Sequence, residues 1–246
     1  MKTSQKYIFS LLAATAMLGA GTTQANALLI DDFSVRQDTG LQPLPSIPSS
    51  SQVGPDISII GGFRDIEVMG DADDTIETRI RATGTALSFS NDDGTTGFGT
   101  IVWDGDDDPT VLDPMGLGGI DLTDHDGVAV DRLLVEIISA DLAGLELHFN
   151  IYDLVGGVST LLRDFGPIGD SVTEAFLFDN FMGDADFTNV GAIELKISGP
   201  AEIDARLAMI ETGKRRVPEP LTSLWTLAGV SALGGLCAKK KVASRN

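Results

Sequence analysis

The feature of this sequence that most restricts its fold is a period of two. Apolar and polar side chains alternate in short runs that end at Gly, Asp, Asn or Pro. Ile76, Thr78, Ile80 and Ala82 alternate with Glu77, Arg79 and Arg81, and Leu145, Leu147, Phe149 and Ile151 with Glu146, His148, Asn150 and Tyr152. Successive side chains of a strand point to opposite faces, so each run lays one face on a core and gives the other to water. Further runs of strand character cover residues 28–33, 57–60, 63–69, 85–89, 98–103, 129–139, 158–165, 172–178, 192–198 and 203–210. That amounts to about a dozen strands separated by turn chemistry, with no long amphipathic segment and no internal repeat among them. The spacing predicts an all-β domain over residues 28–213, a two-sheet β-sandwich. The Pro- and Ser-rich stretch from Leu41 to Pro55 is expected as an extended surface loop.

Charge narrows the partners. Between Leu28 and Arg216 stand 35 acids and 11 bases, a net charge of -24. Nucleic acids and anionic membrane surfaces demand a basic face that releases counterions, so neither is a partner of this domain. Asp outnumbers Glu by 27 to 9, as suits a turn-rich fold in which Asp bonds its own backbone.

The two ends have a different composition. Lys2 and Lys6 precede an apolar run from Tyr7 to Gly21 that closes on Ala25-Asn26-Ala27, the three-part form of a secretory signal peptide. Residues 1–27 are therefore expected to be removed by signal peptidase, with Ala25 and Ala27 as the small residues of the cleavage site. At the other end, residues 221–238 carry no charge and are followed by Lys239, Lys240, Lys241 and Arg245. As a helix this run covers roughly 27 Å, just enough for a hydrocarbon core, and the basic residues 239–246 fix its end in the cytoplasm. One C-terminal transmembrane helix is expected, with everything before it outside. The single cysteine, Cys237, falls in this span, which leaves the exported domain without disulfides.

Val217-Pro218-Glu219-Pro220 stands immediately before the span, where two prolines break any helix. VPEP, a glycine-interrupted span and a basic tail, in that order at the extreme C-terminus, resemble the PEP-CTERM sorting signal. The resemblance covers the last 30 residues, within a sorting tail expected over 214–246, and implies processing at Pro218, Glu219 and Pro220 by a membrane-embedded exosortase. It also implies a route: export through the inner membrane, transient anchoring by the C-terminal helix, and then the cell surface or an extracellular polysaccharide matrix. A second resemblance spans most of the mature chain. IDDF at 30–33, GGFRDIEV at 61–68, DFTNVGAIELKISG at 186–199 and a final strand containing Asp204 resemble exported jelly-roll domains found with this tail, which look like carbohydrate-binding modules in architecture. It implies a β-sandwich of jelly-roll type.

Chemistry-bearing residues are sparse. His125 sits in the acidic turn TDHDG and His148 in an alternating strand, and no GxSxG, HExxH or GxxxxGK motif accompanies them. Catalytic residues are accordingly expected to be none. Calcium is the cofactor to weigh, because it takes six to eight oxygens and acidic turns occur at 70–74, 91–94, 103–109 and 122–127. None has EF-hand spacing, and Asp104, Asp106 and Asp108 form the best local set; solvated turns account for the same residues. Sugar platforms need exposed aromatics, and the exported domain keeps one Trp, Trp103, and one Tyr, Tyr152. Trp103 is read as a platform beside the acidic turn or as an edge-of-core side chain. The leading functional expectation is a non-enzymatic cell-surface or matrix protein processed by an exosortase. The alternatives are a carbohydrate-binding module of the exopolysaccharide matrix and an extracellular hydrolase.

Overall fold

The computed structural model describes residues 27–39, 49–70, 77–106 and 108–213. Ala25 and nearly all of the signal segment, the acidic residues 71–74, and the whole tail with Pro218, Glu219, Pro220 and Cys237 lie outside the described residues. Among the described residues no helix is long and apolar enough to cross a membrane.

The strands in chain order are β1 (Leu29–Asp31), β2 (Gln37–Asp38), β3 (Ser49–Val53), β4 (Arg64–Met69), β5 (Thr78–Ala82), β6 (Leu87–Asn91), β7 (Phe98–Trp103), β8 (Asp124–His125), β9 (Val128–Ala129), β10 (Arg132–Ala140), β11 (Leu145–Asp153), β12 (Val158–Phe165), β13 (Val172–Leu177), β14 (Met182–Gly183), β15 (Val190–Ser198) and β16 (Asp204–Gly213). They form two large antiparallel sheets. The first runs β13-β10-β16-β6-β5-β2, with β1 also on β16; the second runs β14-β12-β11-β15-β7-β4-β3. The chain crosses repeatedly from one sheet to the other, and β8 and β9 make a small separate hairpin.

Alternation decides which face is inside. Ile80, Phe89, Val135 and Leu207 of the first sheet and Ile66, Ile101, Phe149 and Leu195 of the second are fully buried in one continuous core. Phe149 of β11 meets Phe176 of β13 edge to face at 4.9 Å, a contact made across the two sheets. Burial of each such side chain contributes about 1.5–3 kcal/mol before chain entropy is set against it.

A polar brace runs through this core. Asp31 of β1 accepts from Arg64 Nη1 on both carboxylate oxygens at 2.9 Å, from the Trp103 indole N–H at 2.8 Å and from the Phe33 amide at 2.7 Å. Arg64 further donates through Nε to Gln37 Oε1 at 2.7 Å and through Nη2 to the Val35 carbonyl at 2.5 Å. Burial pushes the Asp31 carboxyl up, and the Arg64 charge with the Trp103 and Phe33 donors pulls against it. The IDDF and GGFRDIEV segments thus meet as a buried ion pair that ties the first sheet to the second.

Two expectations need correction. Residues 57–60 are not a strand: the Asp56 carboxylate accepts from the Ser58 amide and hydroxyl, and a 3-10 turn begins at Ile60, so side-chain bonding to local backbone overrides the β preference of the isoleucines. Ile59 keeps a single bridge to Asp31. Conversely, the stretch expected as loop from Leu41 to Pro55 contains β3, an edge strand on β4. Pro55 stands just outside its paired residues, where a missing N–H costs no ladder bond.

Candidate functional site

The outer face of the second sheet is where its polar half-pattern gathers. Two cross-strand rows cover it: Asp65, Val102, Glu194 and Asn150 in one, and Glu67, Thr100, Lys196 and His148 in the next. Glu194 is nearly buried and tied down, with Oε2 accepting from Asn150 Nδ2 at 2.6 Å and from the Tyr152 hydroxyl at 3.0 Å, and with Lys196 Nζ 3.4 Å from Oε1. Burial and the neighbouring Glu194 hold the Tyr152 hydroxyl well above its ordinary range. Burial likewise raises Glu67, with Lys196 opposing and Glu194 adding to the rise.

The loop between β7 and β8 folds back over these rows. Asp104 holds it, accepting from the Asp113 amide at 2.8 Å and the Asp106 amide at 3.1 Å. Burial raises the Asp104 carboxyl against those two bonds. Gly116 and Gly191 make the close packing possible: a Cβ on Gly116 would stand 1.9 Å from the Asp104 carbonyl oxygen, and one on Gly191 1.9 Å from that of Pro114. The result is a groove of about 270 Å³ with Asp65, Glu67, Glu194 and Lys196 on its floor and residues 109–112 along one wall. Phe98 at its end is 36% exposed, and Val111 is exposed on the wall.

Chemically the floor is rich in acceptors, with one ammonium and the Thr100 hydroxyl among three carboxylates. Such a set suits a neutral ligand with many hydroxyl donors, and its excess negative charge selects against acids. Phe98 and Val111 add apolar surface for a C–H face.

Of the residues singled out in the sequence, Asp108 lines the groove wall and most of the others fall elsewhere. Trp103 is wholly buried with its N–H on Asp31, so it is a core side chain and not a platform. Asp104, Asp106 and Asp108 build no shared cage: both Asp104 oxygens face backbone amides, and Asp108 Oδ1 accepts from the Thr110 amide and hydroxyl, which lowers its pKa. Among the described residues no three His, Cys, Asp or Glu side chains are grouped to hold a metal ion. His125 lies in the β8–β9 hairpin; His148 is on the outer face, bonded to Thr160. Tyr152 does lie beside the groove, through Glu194. Asp65, Glu67, Glu194 and Lys196 belong to no motif that marks them in the sequence, although they occupy outward positions of GGFRDIEV and DFTNVGAIELKISG.

No protein-family model matches the chain, and no curated protein matches it. Among solved structures, it is similar to the family 11 carbohydrate-binding module of cellulosomal cellulase Lic26A-Cel5E of Clostridium thermocellum, at 10% identity and a TM-score of 0.37, over 76% of this chain and 94% of that one. It is similar to a family 29 carbohydrate-binding module complexed with mannohexaose, at 8% identity and a TM-score of 0.37, over 78% and 94%. A third likeness is to the enzymatically active domain of the bacteriophage CBA120 tailspike protein 4, at 11% identity and a TM-score of 0.31, over 68% and 20%.

Proposed function

We propose that this chain is an exported, non-enzymatic glycan-binding protein of the cell surface or extracellular polysaccharide matrix, with a jelly-roll type sandwich as its binding domain. The observation that carries the proposal is the groove on the outer face of the second sheet, with its acceptor-rich floor, its apolar rim at Phe98 and Val111 and its wall of residues 109–112. Vicinal hydroxyls of a neutral sugar donate to Glu67 and Glu194, while the pyranose C–H face rests on Phe98. Glu194 has both oxygens engaged by Asn150, Tyr152 and Lys196, which makes it a fixture of the floor; on this reading the groove holds a glycan without cutting it. A glycan array probed with the full chain in detergent should retain neutral hexasaccharides, release no reducing ends from them, and lose them with Glu194→Gln or Phe98→Ala. Retention of no neutral glycan would reject the reading.

Delivery rests on the ends. The signal peptide, cut after Ala27, exports the chain; residues 221–238 hold it in the inner membrane; an exosortase then processes it at Pro218-Glu219-Pro220. In a host with an exosortase, mass spectrometry should find the tail missing from wild type and retained in Glu219→Ala. Full-length wild-type protein would reduce the tail to a plain anchor.

A further inference from the structure

Residues 28–213 hold eight basic side chains among 35 acids. Five of the eight stand against a carboxylate: Arg64 with Asp31, Arg79 with Asp38, Arg132 with Asp131, Arg163 with Glu174 and Lys196 with Glu194. Among the described residues the other three, Arg36, Arg81 and Arg206, make no ion pair, and all three line a single cavity of about 570 Å³ on the outer face of the first sheet. In so acidic a domain, cations left without carboxylates would be expected to scatter. Here they converge, on the sheet opposite the groove.

The fold assembles this pocket from distant segments. Ser139, Arg206, Ser88 and Arg81 form one row straight across β10, β16, β6 and β5. Arg206 and Arg81 therefore flank Ser88 from strands roughly 9.6 Å apart, two strand spacings. Arg36 arrives from the connection between β1 and β2 and lies across the β5–β6 turn at Gly84. A Cβ on Gly84 would stand 3.1 Å from Arg36 Cγ and Nε, so the bare glycine gives the arginine room to lie down. Asp204, two residues before Arg206 on the same strand, lines the cavity as well.

The mixture of groups defines the ligand. Guanidinium groups stay charged and present planar donor forks that match a carboxylate. Ser88 and Ser139 hydroxyls donate and accept, and the Asp204 carboxylate only accepts. A fully ionised inorganic anion such as sulfate offers no donor to an acceptor-only group, whereas a sugar acid brings both a carboxylate for the arginines and several hydroxyl donors for Asp204. The volume lies within the ~300–1,000 Å³ usual for small-ligand sites. The domain's net charge does not forbid an acid here, because salt screens exposed charges beyond about 8 Å under physiological conditions.

We infer that this cavity is a glycan site separate from the groove and opposite in selectivity, binding a uronic acid residue of an acidic polysaccharide, with Arg36, Arg81 and Arg206 on the carboxylate and Asp204 on a ring hydroxyl. It stands without the groove, since its ligand is acidic and the groove's is neutral, so either reading can fail alone. The test is titration calorimetry on the full chain in detergent, using trimers of galacturonate, guluronate and mannuronate, their methyl esters, and inorganic phosphate. At least one trimer should bind with one-to-one stoichiometry, and its ester at least about tenfold more weakly. The double variant Arg81→Gln with Arg206→Gln should lose the trimer by at least the same factor while keeping its thermal midpoint, both side chains being exposed. Binding of no trimer, equal binding of trimer and ester, an unaffected double variant, or displacement of the trimer by an equal concentration of phosphate would each overturn the assignment.

Discussion

Arg64 uses Nε, Nη1 and Nη2 on Gln37, Asp31 and Val35, and it is wholly buried. Arg64→Met would leave the Asp31 carboxylate enclosed with only the Trp103 and Phe33 donors, a loss of about 3–5 kcal/mol in urea unfolding. Adding Asp31→Asn should recover part of it, because the two residues share one interaction. Asp153 behaves differently. Its carboxylate accepts the amides of Asp186, Gly157 and Val155, which holds its pKa below the ordinary value. A lowered acid stabilises the fold above its unfolded pKa of about 3.8 and loses that contribution as pH falls through the folded value. Asp153→Asn should therefore lower the thermal midpoint at neutral pH and flatten its decline in acid. Glu67 has the opposite sign: raised by burial, it is better protonated in the fold, so stability declines as pH rises past 4.5, and Glu67→Gln should remove that part of the decline.

At the scale of elements, the groove depends on the loop between β7 and β8 lying close to β15. Gly191→Ala would drive a methyl into the Pro114 carbonyl; it should cost about 1–3 kcal/mol and weaken neutral-glycan binding, while circular dichroism stays strand-dominated. This closeness also explains what could be read in the sequence. Strands such as β5, β11 and β15 are legible because their alternation is a local property, and in the structure Glu67 of β4 and Glu194 and Lys196 of β15 face outward. That these outward residues share a floor depends on strand order and on a loop that returns through two glycines, neither of which is local. Trp103 shows the same limit: beside the acidic turn in sequence, it faces Asp31 of the other sheet in space. Arg36, Arg81 and Arg206 lie too far apart in the chain to suggest a cluster. The shortest strands, β2, β8, β9 and β14, are two residues each, too few to display a period.

At the scale of the whole molecule, the domain of residues 28–213, with 35 acids and eight bases, repels itself. Its thermal midpoint should rise with added NaCl through screening. With Asp104 and Asp108 already bonded to their own loop, calcium at matched ionic strength should raise the midpoint no further, and a clear excess shift would mean that a calcium cage forms after all. The two ends of the domain lie side by side. Thr212 donates its amide to the Leu28 carbonyl at 2.8 Å and accepts the Leu28 amide at 3.0 Å. Near its C-terminal end β16 is flanked on both sides, by Arg132 of β10 opposite Gly213 and by Leu29 of β1 opposite Glu211. A pull applied at Gly213 along β16 therefore shears its hydrogen bonds to both neighbours together instead of peeling them one at a time.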